Sequence, residues 1–171
     1  LWTHKNHLRV VEALESLNEQ GHDYHVVFVG KDHGAGAAVE KGIRTIGIEE
    51  NVHLLGYVDD DSIPALYANS LALVMASYFG PNIPPLEAML LDTPIIATEV
   101  HRAQLSDAAL YFDPDNSRDL EKAMGQVIRR DVKANLVEAG RARLPEIDAL
   151  RSSGQSELAA RLHSLSRRIL G

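Results

Sequence analysis

The chain has 171 residues, 45% hydrophobic and 24% charged, the balance of an ordinary soluble globular domain, so disorder and collagen-like structure are excluded. Lys and Arg number 17 against 24 Asp and Glu, a net charge of -7, which leaves no broad basic field for a nucleic-acid backbone. Cysteine is absent, which excludes disulfides and thiolate metal sites.

At roughly 100–200 residues per domain, 1–171 reads as one domain, with 130–171 as its C-terminal helical segment. No apolar run approaches the about 18 residues that a membrane helix needs. Leu1-Trp2-Thr3-His4-Lys5-Asn6-His7 is not a signal peptide. The chain lacks an initial Met and turns helical almost at once, so we expect it to be cut from something longer. An acidic, cysteine-free chain fits the cytoplasm.

In chain order, Leu8, Val11, Leu14 and Leu17 recur every third position and predict an amphipathic helix over Lys5–Gln20, ended by Gly21. His25–Val29 is a β-branched and aromatic run that predicts a strand buried on both faces and closed by Gly30. A polar loop, 31–36, precedes a weak helix over Ala37–Thr45. Val52–Leu55 predicts the second strand. Asp60, Asp61 and Ser62 supply cap chemistry for a short helix through Tyr67. Leu71–Met75 predicts the third strand, and a loop over Ser77–Pro84 leads into a helix over Pro85–Leu91. Pro94–Thr98 and Ala109–Phe112 predict the fourth and fifth strands. The turn 113–117 caps a helix over Arg118–Arg129. Farther on, Leu158, Leu162, Leu165 and Ile169 form an apolar helical stripe.

Strands alternating with helices predict an α/β fold: a Rossmann-like, doubly wound parallel sheet with helices on both faces. Ligands of such sheets bind beyond the carboxyl ends of the strands. Three loops therefore matter: the one before the first helix, the one after Gly30, and the one over Ser77–Pro84.

The last of these is the most informative. Ser77-Tyr78-Phe79-Gly80-Pro81-Asn82-Ile83-Pro84-Pro85-Leu86-Glu87-Ala88 joins a strand end to a helix that opens on proline, whose missing N–H is no loss there. Glu87 lies in the first turn, where the helix dipole favours its charge. A carboxylate can accept two O–H bonds at once, as a vicinal diol offers, while the amides of Gly80, Asn82 and Ile83 suit an anion or a sugar hydroxyl. The plainer alternative is that Glu87 caps its own helix.

Ile83-Pro84-Pro85-Leu86-Glu87-Ala88-Met89 followed by Thr93-Pro94-Ile95-Ile96-Ala97-Thr98 resembles the donor-site signature of the retaining glycosyltransferases of family 4 (group 1), which have the GT-B fold. Trp2–Leu8, His53-Leu54-Leu55-Gly56-Tyr57-Val58 with Leu66-Tyr67, and Asp107–Pro114 resemble further segments of that family in its order, so the resemblance runs from Trp2 to about Met124. It implies one half of a GT-B enzyme: the C-terminal, nucleotide-sugar-binding half, lacking its first strand, with the N-terminal acceptor domain missing. The implied activity is transfer of a hexose such as mannose or glucose from a UDP- or GDP-sugar to a glycan or lipid-linked acceptor. No cofactor and no metal are implied, this half alone is expected to be inactive, and the intact enzyme is expected at the membrane periphery or in the cytoplasm.

By the same resemblance Glu87 binds the ribose hydroxyls, and Lys5 is the catalytic lysine that contacts the donor diphosphate. Gly80, Asn82, Ile83, Pro84 and Leu86 belong to the loop and helix that meet sugar and phosphate. Gly30, Lys31, Tyr57 and Val58 frame the nucleobase. A solvated lysine at 5 and ordinary strand-end chemistry at 30, 31, 57 and 58 are the plainer alternatives.

The departures are specific. The family commonly has a second glutamate eight positions before the first, and Phe79 stands there. Asp92 replaces a usual glycine at a helix end, and Asp tolerates the left-handed conformation better than most residues. His101-Arg102 occupies a glycine-containing segment, where Arg102 reads mainly as a solvated side chain. The loss of the acid at Phe79 leaves open a non-catalytic nucleotide-binding or scaffold module. A sugar-nucleotide epimerase half fits the Pro-Pro-Leu-Glu segment poorly. Gly34-Ala35-Gly36 lacks the third glycine of a dinucleotide loop, His4 and His7 lack a third ligand nearby, and no nucleophile elbow is present.

Overall fold

The computed structural model describes residues 1–80 and 82–152. The apolar stripe Leu158–Ile169 lies outside the described residues. Among the described residues five strands, β1 (Val26–Val29), β2 (Val52–Gly56), β3 (Leu73–Met75), β4 (Ile95–Thr98) and β5 (Leu110–Phe112), alternate with seven helices. These are α1 (His7–Glu19), α2 (Gly36–Ile46), α3 (Ile63–Ala68), α4 (Pro84–Leu90), α5 (Arg102–Leu105), α6 (Ser117–Val127) and α7 (Arg130–Ser152).

All described pairings are parallel, as the crossover helices require. They form two ladders, however, rather than one sheet: β1 pairs β2, and β4 sits between β3 and β5. The ladders share side-chain packing. Val26 and Phe28 of β1 and Val74 of β3 lean on one apolar cluster with Val10 of α1, Ile96, Phe112 and Leu120 of α6.

β4 is buried throughout, and its alternation explains the doubly wound arrangement. Ile95 and Ala97 point into a cluster with Leu86 and Met89 of α4 and Ile147 of α7. Ile96 points the other way, into the cluster under α1 and α6. A third cluster joins Val11 and Leu14 of α1 to Val39 and Ile43 of α2 and to Val52.

Three local expectations need correction. Among the described residues β1 is buried on one face: Val26 and Phe28 turn inward against the clusters under α1 and α2, while Val27 is 46% exposed. A β-branched run reads alike for half-buried and fully buried strands, so the sequence does not separate them. The start of α3 is organised by Asp59 instead of residues 60–62. The Asp59 carboxylate accepts from the Ser62 amide and hydroxyl, each at 3.0 Å, and Ser62 itself makes no side-chain cap. Lys5 lies outside α1, in a 3-10 turn (Thr3–Lys5) that ends on left-handed Asn6, φ 53°. The turn before α6 behaves as expected, with the Asn116 side chain accepting from the amides of Arg118 and Asp119.

A candidate nucleotide-sugar site at the strand ends

Within each ladder the strands run parallel, so their carboxyl ends lie together. The N-terminal residues strap the two ladders at that edge. The Leu1 carbonyl accepts from His33, beyond β1, at 2.9 Å, and the His4 carbonyl accepts from Tyr78, beyond β3, at 3.1 Å. Trp2 stacks on His33 with ring centroids 4.3 Å apart. The three loops singled out from the sequence are thereby joined on one edge.

Lys5 and Asn82, 77 residues apart, meet there: the half-buried Lys5 ammonium donates to Asn82 Oδ1 at 2.9 Å. Burial draws the Lys5 pKa below its usual value. Asn82 is held from several sides. Its backbone amide donates to Gln104 Oε1 (3.0 Å), and Gln104 Nε2 donates back to the Asn82 carbonyl (2.6 Å). Its Nδ2 donates to the Phe79 carbonyl (2.9 Å) and faces His101 Nε2 (3.0 Å). Gly80 allows this packing, since a Cβ there would come within 3.2 Å of the Val100 carbonyl and 3.4 Å of His101 Cδ2.

α4 opens on Pro84, and the amides of Leu86 and Glu87 return to the Ile83 carbonyl. Glu87 sits in the first turn, half-buried. One oxygen of its carboxylate accepts from the Tyr67 hydroxyl of α3 at 2.9 Å, and the Ile83 side chain does not cap the helix. Burial first, and then the Glu87 charge, raise the Tyr67 pKa far above the usual phenol range, so Tyr67 is a fixed donor. Leu86 points the other way: its side chain is 0% exposed in the core cluster, so it positions the turn from inside.

At the ends of the other ladder, Gly30 (φ 127°) and Gly56 (φ 66°) adopt conformations that favour glycine, and the Gly30 amide donates to the Gly56 carbonyl at 2.7 Å. This pair brings the next residues together, with Lys31 Nζ 5.3 Å from the centre of the Tyr57 ring. Tyr57 is 67% exposed. Val58 lines a separate shallow groove of about 510 Å³ with Val27, Leu55, Ala65 and Leu66; Glu87 and Lys5 are not among the lining residues.

The glycine-containing loop after Lys31 has its amides occupied. Asp32 Oδ1 accepts from Gly34, Ala35 and Gly36 at 3.0, 3.1 and 2.8 Å, chiefly the Gly36 bond holding its carboxyl below the usual range. Arg102 is engaged by Glu99 through two hydrogen bonds and lies over the Tyr111 ring at 3.8 Å. Phe79, where the second glutamate is expected, exposes 67% of its surface and meets the His4 ring edge-on. Sequence reasoning missed His101, Gln104 and the partnership of Tyr67 with Glu87. The signal available in the sequence was a histidine three residues after the apolar run Ile95–Thr98.

An acid in a proline-opened helix and a lysine strapped to the facing loop thus stand together at the carboxyl ends of parallel strands. The chain belongs to the family of glycosyl transferases group 1, which matches residues 1–157. It is 26% identical over 129 residues to the O-antigen chain mannosyltransferase RfbU of Salmonella typhimurium, an alignment covering 74% of this chain and 36% of that protein. It is 36% identical over 81 residues to the O-antigen chain mannosyltransferase B of Escherichia coli, covering 46% of this chain and 20% of that one. The chain thus spans about a third or less of these relatives. In fold it resembles sucrose-phosphate synthase from Thermosynechococcus elongatus (TM-score 0.74, 20% identity, 98% of this chain and 43% of that one). It also resembles Anabaena HepE, solved with UDP and glucose (TM-score 0.69, 19% identity, 99% and 45%). Among the described residues no helix is long and apolar enough to cross a membrane.

Proposed function

We propose that this chain is the nucleotide-sugar donor site of a retaining glycosyltransferase. The donor is a UDP- or GDP-hexose, and the hexose passes to a glycan or lipid-linked acceptor carried on an N-terminal domain outside this chain. The observation that carries this reading is the 2.9 Å contact between Lys5 and Asn82 at the same strand-end edge as Glu87.

Lys5 places an ammonium at the loop that leads into α4, where a diphosphate gains from the cation. That charge stabilises the nucleoside diphosphate as it leaves. The Glu87 oxygen not bonded to Tyr67 accepts from the ribose hydroxyls. Tyr57 offers an exposed ring for the nucleobase, and Lys31 holds that ring. With Phe79 in place of an acid, the sugar hydroxyls are met by loop amides and by the remaining lone pair of Asn82 Oδ1. The mannosyltransferase names of the relatives support mannose among the hexoses.

Calorimetric titration with UDP, GDP and ADP tests this. Binding of UDP or GDP that is abolished in Glu87→Ala and weakened in Lys5→Ala is the expected result. Binding of none of the three overturns it in favour of a scaffold module, the reading that Phe79 supports. The chain alone is expected to show no sugar transfer, and robust turnover by it would contradict the assignment of the acceptor to another domain.

A further inference from the structure

We propose that His101 is a positioning residue: as a neutral imidazole protonated on Nδ1, it sets the amide of Asn82 and, through it, the place of the Lys5 ammonium. The hydrogen-bond chain runs Lys5, Asn82, His101, Thr98, Ser77, and its ends leave it one direction. A lysine ammonium only donates, so the Asn82 atom facing Lys5 at 2.9 Å is the oxygen. Asn82 Nδ2 then has two hydrogens. One goes to the Phe79 carbonyl, which can only accept, and the other to His101 Nε2 at 3.0 Å. His101 Nε2 must therefore carry a lone pair, and its proton sits on Nδ1, facing Thr98 Oγ1 at 3.2 Å. The Thr98 hydroxyl is left free to donate to the Ser77 carbonyl, at 2.6 Å. From Asn82 to Ser77 every side-chain donor of the chain meets an acceptor, and no buried side-chain polar atom among the described residues is left without a partner.

The arrangement depends on the imidazole being uncharged. Adding a proton turns Nε2 into a donor aimed at the Asn82 NH2 group. Rotating the amide relieves that contact, but it then sets NH2 against the Lys5 ammonium and the oxygen against the Phe79 carbonyl. The unrotated state sets donor against donor, and the rotated state deprives Lys5 of its acceptor. His101 is 0% exposed. It meets Asn82 and Gly80 from the loop after β3 and Thr98 from β4, none of them charged, and it feels Lys5 from the N-terminal turn. Burial first, and the Lys5 charge in addition, hold its pKa below the usual histidine value, with the Thr98 backbone opposing in part.

Two measurements test the proposal on the whole chain. The first is nitrogen NMR of the imidazole and of the Asn82 side-chain amide, which needs no ligand. A protonated Nδ1 with a bare Nε2, and an Asn82 NH2 resonance that shifts as His101 titrates, are expected. A proton on Nε2 overturns the proposal. The second, which rests on the proposed nucleotide site, is the affinity for inorganic pyrophosphate, UDP and GDP across about pH 7.5 to 4.5, bracketing the histidine range. His101→Gln can accept from Asn82 and donate to Thr98 but cannot titrate. It should match the parent chain at neutral pH and lose less affinity on acidification, the ligand's own titration cancelling in the comparison. His101→Leu should bind about tenfold more weakly throughout, the scale of one misdirected charged hydrogen bond. Identical pH profiles for the parent and His101→Gln would overturn the proposal. Failure of all three ligands to bind would count against the nucleotide reading, while the imidazole tautomer would still decide this one.

Discussion

The Tyr67 hydroxyl donates to the Glu87 carboxylate at 2.9 Å, so that a short helix 20 residues upstream aims the acid at the head of α4. Tyr67→Phe keeps the ring and its packing but removes the donor. Stability should fall by about 1 kcal/mol, the usual net worth of one such bond, because water reaches the half-buried Glu87. Nucleotide affinity should fall by several-fold more than a stability change explains, since the carboxylate is then free to rotate. Denaturant unfolding beside calorimetry separates the two, and unchanged affinity would remove Tyr67 from the site.

Asn82→Asp puts a second carboxylate near the predicted diphosphate. It still accepts from Lys5, but it cannot donate to the Phe79 carbonyl or to His101. Affinity for UDP or GDP should drop at least about tenfold, the loss of one charge-directed contact. If the Asn82→Asp chain binds as well as the parent, Lys5 alone, without the amide, meets the phosphates.

Gly80→Ala tests the closeness of the loop to His101. The added methyl would sit 3.2 Å from the Val100 carbonyl, tighter than ordinary contact. We expect a cost of about 1–3 kcal/mol from overpacking, together with a shifted His101 titration in the NMR experiment. A silent substitution would mean that the loop has room to move.

Asp92 carries two opposed effects. Its left-handed backbone, φ 55°, is unfavourable, while its carboxylate bonds Arg141 of α7 at 2.7 and 2.5 Å. Asp92→Ala loses the pair and keeps the strain, so it should destabilise by about 1 kcal/mol. Asp92→Gly loses the pair but relieves roughly 1 kcal/mol of left-handed strain, so it should be near neutral. Thermal unfolding of the two variants in parallel gives the difference; equal losses would show that strain is negligible there.

The same buried imidazole makes stability depend on pH. The unfolded chain takes up a proton near the ordinary histidine value of about 6.5, and the folded chain resists it. Unfolding therefore binds protons below that value, and stability declines as pH falls from about 6.5 until the folded imidazole itself titrates. His7, whose pKa burial draws down to about 4, contributes over the same range, so His101→Gln should lessen the decline in urea unfolding without abolishing it, and a decline of unchanged size would assign it to other groups.

The sequence reveals the elements through local patterns: β-branched runs at 26–29 and 95–98, proline at the head of α4, Asn116 before α6. It reveals candidate residues wherever one loop carries several, as between Ser77 and Glu87. It does not reveal the partners. His101 and Gln104 reach Asn82 across 19 and 22 residues, through hydrogen bonds that leave no periodicity. Asp59 cannot be chosen over its acidic neighbours by spacing, because cap geometry depends on where the turn closes. Whether strands join into one ladder is likewise a matter of tertiary placement.

The strap at the strand ends works as a caliper. Lys31 and Tyr57 ride on one ladder, Asn82 and Glu87 on the other, and the described main-chain pairing does not bridge the two. The spacing between these jaws is gauged by the Leu1 and His4 carbonyls and the Trp2 stack. On the proposed donor site, a rigid ligand gripped at both ends has to match that gauge. On the same reading Trp2 and His33, which belong to the strap and not to the proposed gripping residues, tune which molecular lengths fit, and a change there would alter selectivity while leaving every gripping side chain intact.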